Sequence, residues 1–409
     1  MSFQKTELPN GIRILTESVD YVGSASIGVW CETGSRHELP SEAGITHFIE
    51  HMLFKGTPTR TSHQIAEEIE GRGGMLNAFT DKEQTCYYCR VLAEDSIHSL
   101  DILCDMVKNS LLDAEELERE KGVVLEEIKR GEDDPGDLVH DLHMQGLWPD
   151  HNLGLSVIGT SESVSSFSRD DLVKYMDRRY SGATIVVSAA GNVNHEEFVA
   201  KVSEHFADLP AGEKKANEDR PQPQPGTNLI GKEVEQVHFC IGGDGSSYYD
   251  DWLYPMTVLD QILGGGMSSR LFQEVREKRG LVYAVGSYHP TYREGGSFTI
   301  YGGTGMQTWE KTQEVIWDEL KKIREDGPTD DEITRIKRQF AGNLVLGLES
   351  MSSRMMRQSR NEMVHGRQIS PEETLQKVNA VTKDQIMDWC RTNLLPEKMR
   401  TTAIGPFKN

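Results

Sequence analysis

With 409 residues, the chain is too long for one ordinary core and suits two domains of about 200 residues each. A formal net charge of −21, from 65 acidic against 44 basic side chains, argues against a nucleic-acid partner while leaving an attraction for basic peptides. No run of 18 apolar residues occurs, and Met1-Ser2-Phe3-Gln4-Lys5-Thr6-Glu7 lacks the apolar core of a secretory leader, so a cytoplasmic protein with no membrane partner is expected.

In chain order, strand-like patterns over Ile12–Thr16 and Ala25–Cys31 precede an apolar helix over Ala43–Phe54. A strand over Thr85–Val91, helices over Ser96–Asn109 and Asp113–Arg130, and a strand over Thr184–Ala190 follow. Residues 209–228 are polar and proline-rich, as suits an extended linker. Beyond them come a strand over Val237–Gly242, a helix over Tyr254–Leu263, a strand over Ser297–Gly302 and a helix over Thr308–Arg324. The reading is an α+β chain with domains 1–208 and 229–409. The halves also match in order: setting His51 against Gln261 places Thr257 opposite His47 and Asp260 opposite Glu50. Asp331-Glu332-Ile333 likewise matches Glu115-Glu116-Leu117, which suggests a duplication in which only the first copy carries ligands.

The six cysteines lack the paired spacing of a disulfide framework, and reduced thiols are expected. Cys86 and Cys89 lie three apart in a strand, on opposite faces, where one ion could not meet both. Gly264-Gly265-Gly266-Met267-Ser268-Ser269 has no lysine after it and so fails as a phosphate-binding loop.

His47-Phe48-Ile49-Glu50-His51 is the most informative stretch. A helix rises about 1.5 Å per residue with about 3.6 residues per turn, so His47 and His51 share a face with Glu50 beside them. The order H-x-x-E-H is the inverzincin signature, two zinc ligands with a general base between them. A catalytic zinc needs a third protein ligand and keeps a fourth position for water. The helix Asp113–Arg130 is the best donor. At about 100° per residue from Leu117, Val124 and Ile128 fall within about 20° of zero and define the buried stripe. Glu120 and Glu127 land together on one edge of that stripe, while Glu126 points to the opposite side. Glu120 and Glu127 are therefore the pair able to reach an interior metal, one as ligand and the other as a carboxylate orienting a ligand.

These residues carry a resemblance. Leu8-Pro9-Asn10-Gly11-Ile12-Arg13, Gly44 to Thr57, Asn77-Ala78-Phe79-Thr80 and Val123 to Ile128 resemble the pitrilysin and mitochondrial-processing-peptidase family of zinc peptidases, in its shorter two-domain branch. The resemblance implies two homologous α/β-sandwich domains with mostly antiparallel sheets, arranged as a clam-shell around a chamber. It places the third ligand at Glu127, 76 residues beyond His51, and a supporting acid at Glu120. It implies that Asn77, Ala78, Phe79 and Thr80 form an edge strand to which an extended peptide adds. Arg276-Glu277-Lys278-Arg279-Gly280-Leu281-Val282-Tyr283 is similar to the segment whose arginine and tyrosine meet the substrate, which assigns Arg276 and Tyr283. A homodimer is implied as well.

The chemistry expected is hydrolysis of internal peptide bonds, with one Zn2+ per chain on His47, His51 and Glu127 and with Glu50 as base. A non-catalytic scaffold of the same family is the competing reading; the intact His47, Glu50, His51 and Glu127 stand against it. A lyase of the S-ribosylhomocysteine type also carries H-x-x-E-H, but on a far shorter chain.

Overall fold

The computed structural model describes residues 2–213 and 219–408. β1 (Ser2–Glu7), β2 (Arg13–Ser18) and β3 (Ser24–Cys31) lead into α1 (Ile45–Leu53) and α2 (Ser62–Glu70). β4 (Met75–Thr80) and β5 (Thr85–Leu92) precede α3 (Ser96–Asn109), α4 (Ala114–Asp133) and α5 (Pro135–Leu147). α6 (Ser161–Ser166), α7 (Arg169–Arg179), β6 (Ile185–Gly191) and α8 (His195–Phe206) follow. The second run holds β7 (Gly226–Gly231), β8 (Gln236–Asp244), α9 (Leu253–Leu263), a π-helical segment at Phe272–Glu277, β9 (Val282–Tyr288) and β10 (Ser297–Gly305). It ends with α10 (Trp309–Glu325), α11 (Asp330–Gly347), α12 (Met351–His365), α13 (Pro371–Ala380), α14 (Lys383–Asn393) and β11 (Arg400–Gly405).

Two sheets result, in the orders β1-β2-β6-β3-β5-β4 and β7-β11-β8-β10-β9. Without β1, the first order becomes the second when five is added to each strand number. The pairing senses repeat too: β2 with β6 and β7 with β11 are parallel, and every other neighbouring pair is antiparallel. The duplication suggested by the sequence thus appears as one topology used twice. Among the described residues, no helix is long and apolar enough to cross a membrane.

The chain divides into two compact units that are not its contiguous halves. Unit one takes the chain up to Ile128, the stretch from Leu155 through α8, and Leu346–Gln368; unit two takes Lys129–Gly154, β7 through Val345, and the chain from Ile369. α5 is thereby exchanged for its counterpart α12. The physical cause is that each sheet has two apolar faces and needs cover on both. β6 is buried along its whole length. One face of its sheet meets the main core, with Phe48, Leu103 and Phe198, and the other meets Met355 and Met363 of α12 through Leu15, Trp30, Cys86 and Val186. In unit two, Val139 of α5 packs on Cys240 and Ile404 in the same way.

Small residues let these helices approach. Ser26 Oγ meets Ser352 Oγ at 2.9 Å, and Ser188 Oγ meets Ser359 Oγ at 2.6 Å. A methyl group on Gly28 would lie 2.8 Å from Met355 Sδ; one on Gly242 would lie 2.7 Å from both His143 Nε2 and the Phe298 carbonyl oxygen.

Several boundaries differ from expectation. α1 begins at Ile45, since Gly44 adopts φ +88°, and α4 runs on to Asp133. Part of the expected linker, 214–218, lies outside the described residues, and its end is not linker, because β7 starts at Gly226 and pairs with β11. Cys86 and Cys89 do lie on opposite faces of β5, in separate cores, and all six cysteines are free thiols.

The two glycines should respond unequally to a side chain. Gly242→Ala presses on backbone as well as on His143, and is expected to destabilise unit two by about 1–3 kcal/mol. Gly28→Ala meets side chains rather than backbone, Met355 Sδ and Trp30 Nε1 each at 2.8 Å, and should cost less. Thermal melts of the two variants compare them directly.

Candidate metal centre

α1 is helical because Ile45, Phe48, Ile49, Met52 and Leu53 form a buried apolar stripe, which leaves His47, Glu50 and His51 on the adjoining face. Its start is set by a distant residue. The Glu38 carboxylate accepts the Gly44 N–H at 2.7 Å and the Thr46 N–H at 2.9 Å, satisfying donors the helix cannot pair internally. Glu38 is buried, which lifts its carboxyl to about 7 despite those donors. At Gly44 a Cβ would sit 2.5 Å from the Ile158 carbonyl oxygen, so the entry to α1 admits only glycine.

α4 begins where Asp113 Oδ1 accepts the N–H groups of Glu115 and Glu116. Leu117, Val124 and Ile128 are buried as the helical phase requires, Glu120 is buried beside them, and Glu126 and Glu127 are exposed. Glu127 Oε2 lies 3.8 Å from His47 Nε2 and 3.7 Å from His51 Nε2. The candidate ligand atoms of these three residues all fall within 4.8 Å of one another.

His51 is oriented from behind. Its Nδ1–H donates to Glu120 Oε1 at 2.9 Å, which leaves the Nε2 lone pair facing Glu127. Glu120 Oε2 is held in turn by Lys55 Nζ at 2.5 Å, one turn beyond His51. His47 lacks such a support: its Nδ1 is buried without a hydrogen-bond partner. The two rings also respond in opposite directions. Burial, with some repulsion from His51, lowers the His47 pKa to about 4. Burial opposes protonation of His51 too, but the hydrogen bond and charge of Glu120, with Glu127 and Glu50, outweigh it and raise the pKa. Burial raises the Glu50 carboxyl above its usual range, partly offset by Thr80, whose hydroxyl donates to Glu50 Oε2 at 2.5 Å.

Thr80 ends β4, the outermost strand of its sheet. On the outer edge, the Ala78 N–H is taken up by the Asn77 side chain at 2.8 Å. His47, Glu50, His51, Thr80, Glu120 and Glu127 are thus brought together, with Asn77, Ala78 and Phe79 continuing along the same strand.

Arg276 and Tyr283 belong to unit two. The guanidinium lies over the Tyr283 ring at 5.2 Å and over Phe272 at 4.7 Å, and Tyr283 is 79% exposed. Sequence reading gave Glu38 and Lys55 no role and did not pair Thr80 with Glu50. Lys55 could have been found from its spacing, four residues after His51 on the same face. Glu38 depends on a loop path that carries no periodic signal.

Residues 13–161 match the family model described as Insulinase (Peptidase family M16), and residues 166–340 match Peptidase M16 inactive domain. The uncharacterized zinc protease YmxG of Bacillus subtilis is 42% identical over 98% of this chain and 97% of its own. The chain belongs to peptidase family M16. An uncharacterized zinc protease of Streptomyces coelicolor is 40% identical over 99% of this M16 chain and 90% of its own. Two solved structures share the fold: a protease from Helicobacter pylori, with TM-score 0.92, 21% identity and coverage of 99% and 100%, and a peptidase M16 inactive domain from Pseudomonas fluorescens, with TM-score 0.91, 22% identity and coverage of 100% and 98%.

The donor set suits zinc. Ligands about 2.0 Å from a tetrahedral ion stand about 3.3 Å apart, about half an ångström less than the separations of Glu127 from each imidazole. Two imidazoles and one carboxylate also leave a position open, as catalytic zinc sites do.

The His51 pairing can be tested without metal. Glu120→Gln removes the largest of the charges that favour protonation, so the His51 pKa should fall, while His47 stays low. NMR titration of the metal-free histidine ring protons distinguishes the two.

Proposed function

We propose that this chain is a zinc-dependent endopeptidase that hydrolyses internal bonds of peptides bound in extended form. The observation that carries the reading is the convergence of His47, His51 and Glu127 with Glu50 alongside, at the end of an edge strand. Zinc, when bound by the three ligands, supplies a Lewis acid and lowers the pKa of water. Glu50 accepts the proton from the attacking water and returns it to the leaving amine. Burial, which raises its pKa, makes it a stronger base toward that proton. Glu120, fixed by Lys55, holds the His51 ring so that Nε2 stays on the ligand side.

The substrate strand adds alongside β4, where the Ala78 N–H can exchange the Asn77 side chain for a peptide carbonyl. Such main-chain pairing binds many sequences, which fits processing of varied peptides or unfolded segments. Arg276 and Tyr283 are assigned to substrate holding, a guanidinium and a phenol suited to a peptide carbonyl. The match to an inactive domain spans 166–340, which contains none of His47, Glu50, His51 or Glu127, and so does not weigh toward a scaffold.

Glu50→Gln should keep one zinc per chain and lose peptide cleavage. His47→Ala should lose both. Zinc analysis with cleavage of a quenched fluorescent peptide library checks the pair; undiminished cleavage by Glu50→Gln would sink the assigned base, and a zinc-free parent that zinc does not activate would sink the enzyme reading.

A further inference from the structure

The duplication can be followed into the site itself. An offset of 210 sets Thr257 against His47 and Gln261 against His51, on α9 and α1. An offset of 216, fixed separately by Asp331-Glu332-Ile333 against Glu115-Glu116-Leu117, sets Ile336 against Glu120 and Asn343 against Glu127, on α11 and α4. All four counterparts line one cavity of about 360 Å³ within unit two, together with Gln339, Phe340 and Leu344. Two sequence offsets and one cavity agree without having been fitted to each other.

The chemistry of the second cavity is inverted. In place of two imidazoles and a carboxylate stand a hydroxyl and two carboxamides, and isoleucine replaces the carboxylate that orients a ring. None of the lining side chains is charged. The carboxylate corresponding to Glu50 is Asp260, which is buried, does not line the cavity, and accepts the Ser287 hydroxyl at 2.6 Å. This repeats the Thr80–Glu50 hydrogen bond of unit one. The Thr257 hydroxyl donates its proton to the Leu253 carbonyl at 2.8 Å, which leaves only acceptor capacity toward the cavity. Gln261, Gln339 and Asn343 offer donors and acceptors, and Ile336, Phe340 and Leu344 form an apolar wall. A few convergent polar groups on apolar walls, in a volume of about 300–1,000 Å³, are the usual form of a small-ligand site.

We propose that this cavity is the second copy of the metal centre converted into a binding pocket, and that it takes an uncharged, amide-bearing group with an apolar body. The apolar body meets Phe340, Ile336 and Leu344, and the amide pairs with Gln261 and Asn343. A charged ligand would find no counter-charge among the lining residues and is disfavoured. A capped apolar amino acid has the required chemistry.

The test uses the full-length, zinc-loaded chain and N-acetyl-leucinamide, followed by saturation-transfer NMR. Anionic N-acetyl-leucine and cationic leucinamide serve as comparators. Expected is saturable binding of the neutral probe, about an order of magnitude tighter than either charged one. That binding should be lost in a Gln261→Leu, Asn343→Leu double variant whose zinc content is unchanged. Absence of saturable binding, or binding that survives the double variant, overturns the pocket. Descent from a metal centre is read separately: Thr257→His with Gln261→His and Asn343→Glu should raise zinc by one equivalent per chain over the parent. A triple variant that melts cooperatively with only the parent's zinc content overturns that part. Because the increment is measured against the parent, this result stays distinct from any failure of the zinc reading at His47, His51 and Glu127.

Discussion

One buried carboxylate links the two helices that make the site. Glu120 projects from α4 and receives His51 and Lys55 from α1 and the residues just after it. A carboxylate in that position would be costly without partners, and both of its oxygens are engaged. The contact therefore fixes the separation of α1 from α4, and with it the distance from either imidazole to Glu127. It also fixes which nitrogen of His51 carries the proton. The geometry of the cluster is in this sense a consequence of packing between helices rather than of the three side chains themselves.

The sequence showed most of this site because helices advertise their faces. His47, Glu50 and His51 are close in the chain, and one period decides their orientation. Glu120 and Glu127 needed only the phase of the stripe through Leu117, Val124 and Ile128, and the helix keeps that phase over its whole length. Residues joined through space by irregular backbone were harder to see. Glu38 reaches the start of α1 through a loop, and Thr80 reaches Glu50 from the end of a strand. Neither contact leaves a spacing to count.

The fold was legible to the level of two similar halves and no further. Matching Gln261 with His51 identified α9 as the partner of α1, and the strand orders agree with that alignment. What the pattern could not reveal was the exchange of α5 and α12. Both helices bury methionine beside polar side chains, Met144 and His143 on α5 and Met355 and Gln358 on α12, and neither pattern names the sheet it covers. Gly28 beneath Met355 and Gly242 beneath His143 mark where each helix settles, but a glycine in a strand does not say which helix lies over it.

That exchange ties the order in which the protein can be completed to its order of synthesis. The sheet that carries β4 and supports α1 draws its second cover from Leu346–Gln368, late in the chain. As the polypeptide leaves the ribosome, the apolar face formed by Leu15, Trp30 and Val186 must wait, uncovered, until almost all of the second half has been made. Contacts of such long sequence separation close slowly, and an exposed sheet face invites association with other chains in the interval. The first unit is thus the one whose candidate ligands come earliest in the sequence and whose core is finished among the last, so a half-length nascent chain would carry the complete motif on an unfinished scaffold.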